Sequence, residues 1–165
     1  MIKTEFIKLY EELSEINEAE DNRNFFEGLL DELSEFDYAF IDIDGKELND
    51  EEAMQAAVQS PKQLIDLKKG VCTDFVEYIR MKLNDRKIPF EVYYVACTDK
   101  DGDRPYHVFI VVENEDKFLW LEAAWRSEIG IHEYDSLEAL FEDICVPGAF
   151  DSSFVIIPLI TNVEK

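Results

Sequence analysis

HVFIVVENEDKFLWLEAAW, residues 107 to 125, has two runs of β-branched and aromatic residues on either side of a short polar loop. Residues of these types favour strands, and a loop this short can join two antiparallel strands directly. Alternate positions are apolar on both faces of each run, which is typical of strands inside a sheet that is covered on both sides. The stretch therefore predicts a central β-hairpin.

The position of the loop sets the register of this hairpin. If the loop is centred between Asn114 and Glu115, His107 lies directly opposite Glu122. Opposed side chains of an antiparallel pair share a face and have Cβ atoms about 5 Å apart. The register thus predicts a hydrogen bond between the imidazole and the carboxylate, which a slip of one residue would prevent.

Further strand signals lie on both sides of the hairpin. FEVYYVAC (90 to 97) and SFVIIPLI (153 to 160) are rich in strand-forming residues, with Pro158 marking an edge or an interruption. DSLEALFEDI (135 to 144) predicts a helix between them, capped by Asp135 or Ser136.

The N-terminal part of the chain, residues 1 to 59, is predicted to be helical. A first helix has an apolar stripe with alternating spacings of four and three, predicted to be core: Ile2, Phe6, Leu9, Leu13 and Ile16. A second starts at Asn24 after the polar segment EAEDNRN and buries Phe25, Phe26, Leu29, Leu30 and Leu33. A third is expected near EEAMQAAV. Helices followed by an antiparallel sheet indicate one α+β domain over residues 1–165.

Cys72 is predicted to open a helix. Ser60 and Pro61 have the pattern of a helix start, and Gly70 is interpreted as the end of that helix, so Cys72 begins the next one. The backbone N–H groups and dipole of a helix N-terminus favour a thiolate. The other two cysteines, Cys97 and Cys145, are interpreted as structural. Three cysteines without a CxxC pair favour neither disulfides nor a thiolate zinc site.

Cys72, His107 and Glu122 together have the residue types of a catalytic triad. Cys72 would be the nucleophile and its backbone N–H an oxyanion donor, His107 would carry the proton, and Glu122 would orient the imidazole. The alternatives are a Cys72 that only packs, a solvated Glu122, and His132 in place of His107 as the base.

These residues resemble the transglutaminase-like superfamily, whose fold is related to that of the papain-like cysteine proteases. The resemblance rests on GVCTDF (70 to 75), on His107 at the start of a strand and on the acid in LWLE (119 to 122), and it covers about residues 60–126. It implies a helix that begins at the nucleophile and packs on an antiparallel sheet. The third residue is commonly Asp in this family, and here it is Glu122.

The resemblance also implies the chemistry. A cysteine enzyme of this kind would cleave an amide or peptide bond through a thioester acyl-enzyme, as a peptidase, amidase, deamidase or transamidase, without a metal or organic cofactor. Five further residues are candidates for the site. Gln63 is an oxyanion donor or a capping-box residue, and Asp74 interacts with the helix dipole or supports the Cys72 loop. Tyr106, Trp120 and Trp125 line a cleft or belong to the core.

The charge of the chain limits its partners. Its 16 Lys and Arg against 38 Asp and Glu give a net charge of −22, which disfavours nucleic acids and anionic membranes and leaves a basic peptide or protein as substrate or partner. An inactive binding module for a basic protein is the alternative function, followed by an acidic mimic of DNA. The charged N-terminal segment and the short apolar runs predict a cytoplasmic protein. The oligomeric state is not predicted.

Overall fold

The hairpin lies in the middle of a five-stranded antiparallel sheet. The computed structural model describes residues 2–97, 106–145 and 154–161. In chain order the elements are α1 (Ile2–Ser34), β1 (Asp37–Tyr38), α2 (Pro61–Leu67), β2 (Lys69–Gly70), α3 (Cys72–Asp85), β3 (Phe90–Cys97), β4 (Tyr106–Asn114), β5 (Lys117–Glu122), β6 (Gly130–Tyr134), α4 (Leu137–Cys145) and β7 (Phe154–Thr161). The strand order of the large sheet is β6-β5-β4-β3-β7, and β1 pairs with β2 in a short parallel ladder.

Helices cover both faces of the large sheet, as the apolar pattern of the hairpin predicts. One face, which includes Val108 and Ile110 of β4, packs in a cluster with α1 and α3. The opposite face, which includes Phe109 and Val111, packs with Leu140 of α4. The α+β class and the central position of the hairpin are therefore as predicted.

The predicted register of the hairpin is wrong by two residues. Val111 pairs with Trp120, and Asn114 pairs with Lys117, because the connection is a two-residue turn at Glu115 and Asp116. Glu115 adopts a left-handed φ of +56°, a conformation that tight hairpin turns require. Since side chains alternate with a period of two, this shift leaves every residue on its predicted face.

The N-terminal helices differ from the prediction. Residues 2 to 34 form one continuous helix, because the segment EAEDNRN contains neither the glycine nor the proline that would end it. Leu9, Leu13 and Ile16 are about half exposed, so the prediction that they are core is wrong. The side chains of Ile2 and Phe6 lie outside the described part of the structure. The buried face of α1 begins at Ala19 and continues through residues that were predicted to be core: Phe26, Leu29, Leu30 and Leu33.

Two other segments were assigned incorrectly. EEAMQAAV forms only a 3₁₀ turn at Ala53–Gln55, and Met54 is 96% exposed, so this segment lacks the buried face that would stabilise a helix. The fifth strand, β6, was not predicted, because GIHEY is short and its polar and apolar residues alternate weakly. Pro158 is on the edge strand β7, where the pairing with β3 contains a bulge, as its sequence context indicates.

Gly70 has a different role from the one predicted. Ser60 and Pro61 open α2 as expected, but the helix ends at Leu67 with Lys68 in a left-handed conformation. Gly70 is needed because the chain passes close to its neighbours: a Cβ atom there would lie 2.7 Å from a methyl carbon of Leu64 and 3.0 Å from the carboxylate of Asp74.

Gly70→Ala is therefore expected to lower the free energy of unfolding by about 1 to 3 kcal/mol, as overpacking of a core does. Gly28→Ala is the matched control, because a Cβ atom at Gly28 meets nothing within 4 Å in the middle of α1. That substitution should raise stability by about 0.5 to 1 kcal/mol through helix propensity. Urea titrations of both variants test the difference, and equal stabilities would contradict the close packing at Gly70.

In the part of the chain that the structure describes, no helix has the length and apolarity needed to cross a bilayer.

Candidate active site

A buried carboxylate fixes the backbone just before Cys72. Asp74 accepts hydrogen bonds from the backbone N–H of Val71 (2.9 Å), the backbone N–H of Gln59 (2.8 Å) and the side-chain amide of Gln59 (3.1 Å). The bond to Val71 joins the residue before α3 to its first turn. These contacts support the second role given for Asp74 above, which is to hold the loop before Cys72.

His107 and Glu122 form a buried hydrogen-bonded pair. The distance from Nε2 of His107 to Oε2 of Glu122 is 2.7 Å, and the two residues are 8% and 2% exposed. The predicted contact is therefore present despite the shift in register, because His107 reaches diagonally across the ladder. The side chain of Cys72 is near enough to the ring to raise the pKa of His107.

The Glu122 carboxylate is held by four donors. Oε2 accepts from His107 and from the indole Nε1 of Trp120 at 3.0 Å. Oε1 accepts from the backbone N–H groups of Ala124 (2.7 Å) and Trp125 (2.8 Å), in the turn that follows β5. Sequence reasoning missed these donors because the turn was not predicted. They fix both oxygens and so fix the orientation of the imidazole.

The surroundings of His107 and Glu122 favour the charged form of each. Burial alone would lower the pKa of His107, but the hydrogen bonds to Cys72 and Glu122 and their charges raise it to about 10. Burial alone would raise the pKa of Glu122, but the hydrogen bond and charge of His107, with the two backbone donors, hold it below its ordinary value. The geometry thus favours an imidazolium beside a carboxylate.

These shifts predict how stability depends on pH. Because the pKa of His107 rises from 6.5 to about 10 on folding, the folded protein binds more protons between these values, and its free energy of unfolding falls as pH rises through that window. The expected loss is on the order of a few kcal/mol. Urea titrations from pH 6 to 10 measure it, and His107→Ala should remove most of the slope. A wild-type stability that is flat over this range would contradict the buried ion pair.

Two of the further residues considered at the sequence level lie close to the triad. The ring of Trp125 meets the ring of His107 edge-on, with centroids 5.5 Å apart. Tyr106 is half exposed and stacks on Tyr94, and its pKa is raised by burial and by the nearby Cys72.

The remaining residues serve other purposes. Trp120 is fully buried and supports Glu122 from within the core. The backbone N–H of Gln63 donates to the hydroxyl of Ser60 in the cap of α2. Its side-chain amide nitrogen lies near Gly45. Gln63 therefore belongs to the helix cap. His132 bonds the carbonyl oxygen of Glu128 at 2.6 Å and stacks on Trp120, which engages its ring away from Cys72. The side chains of Cys97 and Cys145 lie outside what the structure describes.

A pocket of about 370 Å³ adjoins the triad. Its lining consists of Tyr38, His107, Ala124, Trp125 and Arg126. The volume is within the usual range for small-molecule sites. Cys72 is only 3% exposed, and its side chain belongs to the core cluster that includes Phe75 and Val108.

Tyr38 and Arg126 were not recognised from the sequence, because no local pattern connects the β1 segment to Cys72. A larger groove of about 730 Å³ lies between α1 and the β4–β5 turn. Charged residues of both signs line it, and the triad is not part of it. Within residues 2–97, 106–145 and 154–161, no group of three His, Cys, Asp or Glu side chains is placed to hold a metal ion.

Comparison of the chain with protein-family models, with curated proteins and with solved structures finds no match in any of the three. The site therefore has to be interpreted from its own geometry.

Proposed function

We propose that the protein is a transglutaminase-like cysteine enzyme that transfers an acyl group from an amide or peptide bond through a thioester on Cys72. The observation that carries the proposal is the buried 2.7 Å pair of His107 and Glu122, which lies beside a pocket and near the Cys72 side chain at the start of α3. A nucleophile, a base and a group that orients the base are the minimum for this chemistry.

The reaction would proceed in two halves. The resting pair is the Cys72 thiolate beside the His107 imidazolium, which holds the proton from the thiol, and the sulfur attacks the substrate carbonyl carbon to give a tetrahedral oxyanion. Collapse of this intermediate breaks the C–N bond, and His107 returns the proton to the leaving amine. Water or a second amine then attacks the thioester with His107 as the base, which yields an acid or a new amide and restores the resting pair.

Glu122 replaces the aspartate that is common in the family, and its surroundings support the same orienting role. The extra methylene brings the carboxylate within reach of the donors on Trp120, Ala124 and Trp125 while keeping the 2.7 Å contact to His107. The net charge of −22 favours a basic peptide or protein as the substrate.

Acylation by p-nitrophenyl acetate tests the proposal. We expect a stoichiometric burst of nitrophenolate and an acetyl group that peptide mapping by mass spectrometry places on Cys72. Cys72→Ala should abolish the burst, and added glycine methyl ester would divert the acyl group from water if the enzyme is a transamidase. Absence of an adduct on Cys72, with Cys97 and Cys145 as reactive as in the unfolded chain, would overturn the enzyme and leave the binding module for a basic partner.

A further inference from the structure

Tyr38 is brought to Cys72 by a short parallel ladder. Tyr38 of β1 pairs with Gly70 of β2, and the backbone N–H of Ala39 donates to the carbonyl oxygen of Gly70 at 3.0 Å. This ladder fixes the N-terminal part of the chain beside the residue that opens α3. The N-terminal segment thus contributes a side chain to the site, a role that its sequence does not reveal.

The phenol of Tyr38 lies in the pocket beside the triad residues. Tyr38 and His107 both line this pocket. Burial and the nearby Cys72 raise the pKa of Tyr38, so the phenol is protonated at neutral pH. The pocket therefore presents both an imidazole and a phenolic hydroxyl.

The hydroxyl of Tyr38 is placed differently from those of other tyrosines in the fold. Tyr78 and Tyr134 each donate to a carboxylate, Glu32 and Asp143 respectively. Among the described residues no carboxylate accepts a hydrogen bond from the Tyr38 hydroxyl, so its proton is available to an acceptor in the pocket.

We propose that the Tyr38 hydroxyl is an oxyanion donor of the acyl-transfer reaction, which donates a hydrogen bond to the carbonyl oxygen of the substrate as negative charge develops there. The inference rests on the proposed function and adds a catalytic residue to it. Tyr38 keeps its proton throughout, and the pairing of β1 with β2 fixes its backbone beside Gly70. A donor positioned in advance at the developing charge stabilises the transition state more than the bound substrate.

Two electrophiles separate this role from a structural one. Iodoacetamide alkylates sulfur by displacing iodide from a methylene carbon and forms no oxyanion, whereas p-nitrophenyl acetate reacts through a tetrahedral oxyanion. Tyr38→Phe keeps the ring and removes the donor. We expect it to slow acetylation of Cys72 by about 10² to 10³-fold and to leave alkylation of Cys72 by iodoacetamide unchanged. Tyr134→Phe, which removes a hydroxyl outside the pocket, should change neither rate.

The other outcomes overturn the proposal. An equal loss in both reactions would show that Tyr38 only supports the fold of the site. Faster alkylation in Tyr38→Phe would show that the hydroxyl shields the thiol. An unchanged rate of acetylation would show that it does not contact the oxyanion. A failure of the proposed function gives a different result, because the wild-type protein itself would then not be acetylated at Cys72.

Discussion

Glu122→Ala is expected to lower the free energy of unfolding by about 3 to 5 kcal/mol, the cost of removing one partner of a buried ion pair. The substitution leaves the His107 ring and the indole N–H of Trp120 without their acceptor. It also removes the acceptor of the backbone N–H groups of Ala124 and Trp125. Buried donors that lose their partners bear the full penalty of desolvation. Urea titration at neutral pH measures the loss.

Glu122→Gln is the matched control for this prediction. The amide has the size of the carboxylate and one acceptor oxygen, so it can still accept from the turn after β5, but it carries no charge to favour the imidazolium of His107. We expect a loss of stability well below that of Glu122→Ala, together with a marked loss of Cys72 reactivity. A loss of less than about 1 kcal/mol in Glu122→Ala would contradict the view that this carboxylate organises the site.

His107→Ala is expected to slow acetylation of Cys72 by p-nitrophenyl acetate by about 10² to 10⁴-fold, the usual contribution of a general base. His107 is near Cys72, and its hydrogen bond to Glu122 fixes the orientation of the ring that holds the proton for the leaving group. The rate of acetylation of the folded variant, checked by circular dichroism, gives the measurement.

The chain offers a control with the same substitution. His132→Ala removes the only other histidine, whose ring bonds Glu128 and stacks on Trp120. It should leave acetylation of Cys72 close to the wild-type rate, after any loss of stability is taken into account. The reverse result, with a large effect at His132 and none at His107, would support the alternative base that the sequence left open.

The hairpin, the helix start at Cys72 and the contact between His107 and Glu122 could be predicted because they depend on local rules. The faces of β4 and β5 follow from the two-residue period of a strand, which survives the two-residue error in register. The start of α3 follows from the helix signals around Ser60 and Cys72. The hydrogen bond between His107 and Glu122 requires only that the two residues share a face of the sheet and that their side chains are long enough to meet.

The missing parts of the site depend on long-range contacts. Tyr38 is placed beside Gly70 by the pairing of β1 with β2, and two-residue strands leave no detectable pattern in the sequence. The Asp74 carboxylate binds Gln59, which lies in a segment without regular structure. The stripe of Leu9 and Leu13 has the period of a core helix, yet both side chains are about half exposed because periodicity does not specify a packing partner.

The rate of alkylation of Cys72 by iodoacetamide as a function of pH, in wild type, His107→Ala and Glu122→Gln, tests the central claim most directly. Peptide mapping would assign the label to Cys72 and separate it from Cys97 and Cys145. The account predicts that Cys72 of the wild type is alkylated faster at neutral pH than Cys72 of either variant, because only the wild type keeps the His107 imidazolium, held by Glu122, near the sulfur. Slow and indistinguishable profiles in all three proteins, with Cys72 labelled, would contradict a working pair of Cys72 and His107.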